Sequence, residues 1–148
     1  IVSLATNEVD VLAMTAEEAE GHVCAAPWFS TLDNVQSRAF VARYRARFGE
    51  QAPITSGAEA AYFQVHLFAQ AARQAADDSL EALREALAGA HFDAPQGRVS
   101  IDADTQHTWL WPRIARVDAQ RQFQLVLESR EAVRPSPYMV EYQLDAEA

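Results

Sequence analysis

The chain has 148 residues, 49% of them apolar and 22% charged, with 21 acidic against 12 basic residues and a formal charge of −9. One domain's length with this much apolar material can bury a real core, which excludes a disordered segment. Every basic residue is arginine and the set is outnumbered by acids, which disfavours direct nucleic-acid binding, since that rests on clustered cations displacing counterions.

Ile1 to Leu4 is a short apolar run that predicts a strand. It ends at the polar loop Ala5-Thr6-Asn7-Glu8, after which Val9, Leu12 and Ala13 recur at helical spacing. Gly21 interrupts the next segment, and Val23 to Ala26 predicts a second strand before Pro27-Trp28-Phe29-Ser30. Two strands separated by a helix predict a parallel βαβ unit. Asp33 is placed to cap a helix whose broad apolar side carries Val35, Ala39, Phe40, Val41, Tyr44 and Phe48, with Gly49 past its end. Arg38, Arg43, Arg45 and Arg47 fill the rest, and read as a solvated face rather than an anion patch.

Ala58 to Ala76 is apolar almost all round and predicts a central helix packed on several sides, with Tyr62 in the core. Asp78 and Glu81 resemble a capping box for a third helix, striped by Leu80, Leu83 and Leu87 and ended by Gly89. The character then changes. Pro95-Gln96-Gly97 leads into alternating Val99 and Ile101, and Trp109–Val117 and Phe123–Leu127 read as further strands, so an antiparallel meander is expected. Arg134-Pro135-Ser136-Pro137-Tyr138 should run extended over the surface, because two prolines remove ladder donors.

The search for chemistry turns up little. His22, His66, His91 and His107 are scattered, and none has the spacing of a zinc site; His22 and Cys24 would share a strand face, but two ligands fall short of a metal centre. Cys24 excludes an internal disulfide and, among apolar neighbours, reads as a buried thiol. There is no glycine-rich phosphate loop and no nucleophile elbow. Acidic pairs such as Glu17-Glu18 and Asp77-Asp78 fall where water reaches them, whereas general acid work needs a carboxyl raised by burial. The expectation is a protein that is no enzyme and uses no cofactor. No apolar run reaches the length of a membrane span, the N-terminus has no basic leader, and the opening directly on a strand without Met predicts a start inside a longer chain.

The phrases SLATNEVD, AEGHVCAAPWFSTLD, AEAAYFQ, FDAPQGRVSID, HTWLWPRIARVD and RPSPY occur in that order along nearly the whole chain. Together they resemble the C-terminal part of the amide-sensing and urea-binding branch of the type I periplasmic-binding-protein superfamily, closest to the amide sensors that regulate aliphatic-amidase expression. The resemblance implies an α/β fold: part of two lobes joined by chain crossings, with parallel βαβ elements followed by helices and an antiparallel meander. Residues 1–27 would end the second lobe, 28–90 would be a helical return through the first, and 91–148 would complete the second with β-hairpins and tail. Crossings would fall near Pro27 to Thr31 and near the turn at 95–97. Relatives place glycine in the hairpin after Asp118; here Gln120-Arg121 must adopt another turn or tolerate a positive φ.

The resemblance also implies a small neutral amide or urea-like ligand sensed by lobe closure. The partner would be a cytoplasmic antiterminator protein, or, as an alternative, an ABC permease served from the periplasm and a solute that can also be a branched amino acid. A second alternative is an interaction module that binds no ligand. Ligands of open α/β sheets gather at the carboxyl ends of strands, so Thr6, Asn7 and Glu8 are the first candidates for the pocket. A hydroxyl and a carboxamide supply the donors and acceptors an amide requires, although Thr and Asn equally serve as helix caps. Trp28 and Phe29 either wall the cleft or pack a hinge.

Overall fold

The computed structural model describes residues 1–137. Two sheets organise the chain. The first contains β1 (Val2–Ser3), β2 (Val23–Ala26), β6 (Arg113–Val117) and β7 (Phe123–Glu128) in the order β1-β2-β6-β7. β1 and β2 are parallel, joined through α1 (Glu8–Ala13) and α2 (Ala16–Ala19), while β2-β6 and β6-β7 are antiparallel. The second sheet, β3 (His91–Ala94), β4 (Gly97–Ile101) and β5 (Thr108–Trp109), is an antiparallel meander. Between β2 and β3 come α3 (Val35–Phe48), α4 (Ser56–Gln74) and α5 (Leu80–Leu87). The chain therefore leaves the first sheet after Ala26 and regains it at Arg113. Among the described residues no helix is long and apolar enough to cross a membrane.

The parallel βαβ unit stands as its sequence predicts, with β2 bounded by Gly21 and Pro27. Four details differ. Asn34, not Asp33, caps α3, its side chain accepting from the Ser37 amide, while Asp33 pairs with Arg38; the cap has extended backbone and its acceptor three residues before Ser37. Ser79, not Asp78, caps α5 by the same geometry. The predicted strand Trp109–Val117 is two strands of different sheets, because Pro112 has no amide to donate and ends one ladder before the next begins. The Pro95-Gln96-Gly97 turn does not carry the chain between sheets. It closes the β3-β4 hairpin, where Ala94 faces Gly97, and the crossing back lies at Leu110–Pro112.

Three apolar clusters hold these layers. Val11, Ala19, Cys24, Phe29, Ala115, Val117 and Phe123 pack α1 and α2 on the first sheet. Phe63, Leu67, Ala90, Ala94 and Val99 pack α4 on the second. Trp28, Phe40 and Ile54 lie between, with Tyr62 half-buried at their margin. On α4 the buried residues Glu59, Phe63, Leu67 and Ala71 recur every fourth position, a single stripe, and Val65 and Phe68 face solvent where the sequence predicts packing on several sides. The edge strands β1 and β7 also expose Val2 and Leu127.

The hairpin after Asp118 takes the strained option: Arg121 has φ +60°, and its guanidinium donates to the carbonyls of Leu12 and Met14 (both 3.1 Å), satisfying the end of α1. Asp102 accepts from Thr105, Trp109 and Arg134, and the Arg134 bond holds its carboxyl far below the usual range while pinning the start of the tail. Residues 134–137 carry no strand, as the prolines require; Tyr138 lies outside the described residues.

Candidate functional site

Because β1 and β2 are parallel neighbours, their carboxyl ends open on the same edge, and the loops after them meet there. The Cys24 thiol donates to the Thr6 carbonyl (2.9 Å), and the Ser30 amide donates to Glu8 Oε1 (3.0 Å). These two bonds fix the first loop against the segment through which the chain departs for the second sheet. Burial, with Glu8 and Asp10 nearby, pushes the Cys24 thiol up, so it stays protonated and able to donate.

Beside this junction lies a cleft of about 80 Å³ whose walls include Glu8, Leu12, Ser30, Arg45, Arg121 and Phe123. It shares Ser30, Arg45 and Glu50 with a shallower depression on α3 of about 460 Å³. Small-molecule sites usually enclose roughly 300–1,000 Å³, so the tighter part holds one end of a solute at most. Its electrostatics are mixed. Burial raises the Glu8 carboxyl above its usual value, against the opposing pull of the Ser30 amide. Arg45 Nε is buried without a partner among the described residues, and only NH1 of the Arg121 guanidinium is engaged there. A solute carrying a carboxylate would find donors in these guanidiniums, and a neutral Glu8 would add another.

The structure places the predicted residues unevenly. Glu8 lines the cleft. Thr6 is half-buried with its backbone committed to Ser3 and Cys24, and no hydrogen bond among the described residues engages its hydroxyl. Asn7 caps α1: its Oδ1 accepts from Val9 (2.9 Å) while Asp10 accepts from the Asn7 backbone N–H (2.9 Å), which leaves chiefly its side-chain NH2, now reaching the Ala5 carbonyl at 3.5 Å, for any solute. Trp28 is fully buried, its indole donating to Ser37 Oγ (3.0 Å) and its ring edge-on to Phe40 at 5.6 Å. Phe29 packs on Phe123 at 4.9 Å. Both aromatics are packed where the chain departs from the first sheet and neither lines this cleft, whose wall carries Phe123.

Sequence reasoning missed Ser30, Arg45, Glu50 and Arg121. Arg45 departs from the solvated arginine face of α3, where Arg38 pairs with Asp33 and Arg43 donates to the Tyr62 hydroxyl. The unusual turn at Gln120-Arg121 was the available signal for Arg121. Among the described residues no group of three or more His, Cys, Asp or Glu is placed to hold a metal ion, and His22 bonds to the Ala19 carbonyl.

A family model described as "Periplasmic binding protein domain" matches residues 1–144. Two solute-binding proteins of ABC transporters from Rhodopseudomonas palustris share the fold. The one in complex with p-hydroxybenzoic acid has a TM-score of 0.82 and 20% identity, covering 95% of this chain and 39% of its own. The one in complex with 3,4-dihydroxybenzoic acid has a TM-score of 0.70 and 25% identity, covering 78% and 32%. A Geobacillus stearothermophilus protein named limonene hydroxylase is 23% identical over 133 residues, which is 90% of this chain and 24% of that protein. The chain thus spans about a quarter to two fifths of the length of these relatives. With a match over almost every residue and a mixed sheet to go with it, the chain belongs to the periplasmic binding protein domain family.

Proposed function

We propose that this chain forms part of a two-lobed solute-binding protein that closes on a small organic solute and presents it to an ABC permease in the periplasm, without chemistry on the solute. The observation that carries the reading is the pair of chain crossings, after Ala26 and at Leu110–Pro112, with a polar cleft beside the first. On this reading β1, β2, β6 and β7 belong to one lobe, α4, α5 and β3 to β5 to the other, and the boundary suggested at residue 91 moves to Pro112. The missing walls, and a cover for Val65, Phe68 and Val2, would come from the part of the relatives' fold outside this chain.

A ligand that touches both lobes favours the closed state by its differential affinity, which is what a permease reads. Thr6, Glu8, Arg45 and Arg121 are the residues assigned to the solute, with Asn7 contributing at most its amide. The two arginines favour an organic acid or amino acid over a neutral amide or urea. That preference, and relatives named as transport components, put the transporter ahead of the amidase regulator with its antiterminator.

The test is thermal unfolding of the full-length protein with 4-hydroxybenzoate, leucine, acetamide and urea. A ligand at a hundredfold excess over its Kd adds about 2.7 kcal/mol. Stabilisation by 4-hydroxybenzoate or leucine is expected. Stabilisation by acetamide or urea alone returns the amide sensor, and none at all leaves the non-binding interaction module.

A further inference from the structure

The two crossings are joined by a buried polar relay that the solute site does not use. Arg113, 5% exposed at the start of β6, donates through NH1 to the carbonyls of Pro27 (2.6 Å) and Trp111 (3.2 Å) and through NH2 to that of Gln96 (2.9 Å), while its Nε reaches Glu128 (3.2 Å). One guanidinium therefore ties together the outgoing chain, the returning chain and the β3-β4 turn. Gln96 is fully buried and reads two neighbours at once: its Nε2 donates to Glu59 Oε2 (3.0 Å), and its Oε1 accepts from the Trp111 amide (3.3 Å). Its own amide donates to Glu59 Oε1 (3.2 Å). Glu59, in the first turn of α4, is also fully buried.

Both oxygens of Glu59 accept from N–H donors, the pattern that suits the ionised carboxylate. If Oε2 gains its proton on the side facing Gln96, an O–H points at an N–H and one partner must turn. The least disruptive response is rotation of the Gln96 carboxamide by half a turn, which presents its oxygen to the new O–H. The same rotation swings the NH2 group toward the Trp111 amide, two donors face each other, and that part-buried amide loses its acceptor. Donor and acceptor polarity thus passes from Glu59 through Gln96 to the residue just before Pro112. The indole of Trp111 meanwhile donates to the Arg98 carbonyl (2.8 Å) and lies so close over Gly97 that an added Cβ would fall 2.9 Å from its Nε1.

We infer that Glu59 and Gln96 form a proton-linked latch on the returning crossing, in which the protonation state of Glu59 sets whether the Trp111 amide is held or released. The group is poised for it: burial lifts the Glu59 carboxyl to about 7, against the lowering pull of Gln96 and Arg113. Arg113 from β6 is the charged group that faces Glu59, with Glu128 of β7 behind it. The other charged groups on elements packed against α4, namely Arg38, Arg43 and Arg47 of α3, Glu81, Arg84 and Glu85 of α5, His91 and Asp93 of β3 and Arg98 of β4, are exposed, and Arg45 of α3 lines the cleft. The inference rests on the sheets and their crossings and holds whatever the solute.

The test is a pH titration from 5 to 8.5 of the full-length protein labelled with 15N and 13C, following the Trp111 backbone amide and the Glu59 carboxyl carbon. Both resonances are expected to shift with one shared midpoint near 7, and the amide of Trp111 should exchange several-fold faster, after correction for intrinsic rates, below that midpoint than above it. In Glu59→Gln the Trp111 titration should disappear. A Trp111 amide that is silent across the range, or that titrates equally in Glu59→Gln, overturns the latch. Should that variant not fold, the wild-type full-length protein decides alone: distinct midpoints for Glu59 and Trp111 overturn it.

Discussion

Glu8 and Glu59 invite direct comparison. Each sits in the first turn of a helix, each is raised by burial, and Glu8 directly, Glu59 through Gln96, is tied to a segment where the chain changes sheets. Glu59 is sealed on all sides and both oxygens are occupied by Gln96. Glu8 is half-buried, gives one oxygen to the Ser30 amide, and keeps the rest of its carboxyl on a cleft. Burial alone therefore does not mark a binding residue. What separates the joint from the cleft is whether the carboxyl retains an unsatisfied side that a solute can reach.

Substitutions should sort the two regions by stability. The largest effect is expected for Arg113→Met, which strips the donor from three carbonyls, one buried and two part-buried; a loss of about 3 kcal/mol in urea unfolding is the expectation, and a loss below about 1 would mean that water enters the joint. Gly97→Ala comes next, at about 2 kcal/mol, because φ is +124° and the new methyl meets the Trp111 ring. The pH dependence follows. A carboxyl raised in the folded state from 4.5 to about 7 means that the folded chain binds the extra proton between those values, so its contribution to stability is present at low pH and is lost as pH rises through that window. Glu59→Gln should flatten the slope of stability against pH between 5 and 7. The smallest change is expected at the cleft: Glu8→Gln and Thr6→Val should alter stability by less than about 0.5 kcal/mol. In the full-length protein they should nonetheless weaken solute binding about tenfold by calorimetry, and unchanged affinity would remove those residues from the pocket.

The parts legible in the sequence were those that local chemistry determines. β2 is an apolar run between a glycine and a proline, and α4 showed itself as a helix by its long apolar run, although its single buried stripe did not. Cap identity was off by one at Asn34 and Ser79 because Asp33 and Asp78 are equally good capping types, and only the backbone conformation separates neighbours. β3 passed unnoticed because His91-Phe92-Asp93-Ala94 is short and exposes His91 and Asp93. At the site, the loop of Thr6 to Glu8 followed from its place after a strand. Arg45, Ser30 and Arg121 reach the same cleft from distant positions, which no spacing rule reports. Glu59 was visible in principle: it keeps step with Phe63, Leu67 and Ala71 on one stripe, and an acid in such a register is buried unless the stripe ends before it.

The order of the strands has a consequence for how the molecule is built in time. β3, β4 and β5 pair within one short stretch, so their sheet can assemble as soon as that stretch exists. β2 must instead find β6 across roughly ninety intervening residues, a closure whose entropy is met only after the helices and the small sheet have shortened the path. The larger sheet is thus the late-forming half, and a ribosome releasing this chain would leave β1 and β2 waiting, with their apolar faces uncovered, until Arg113 and the strand behind it arrive.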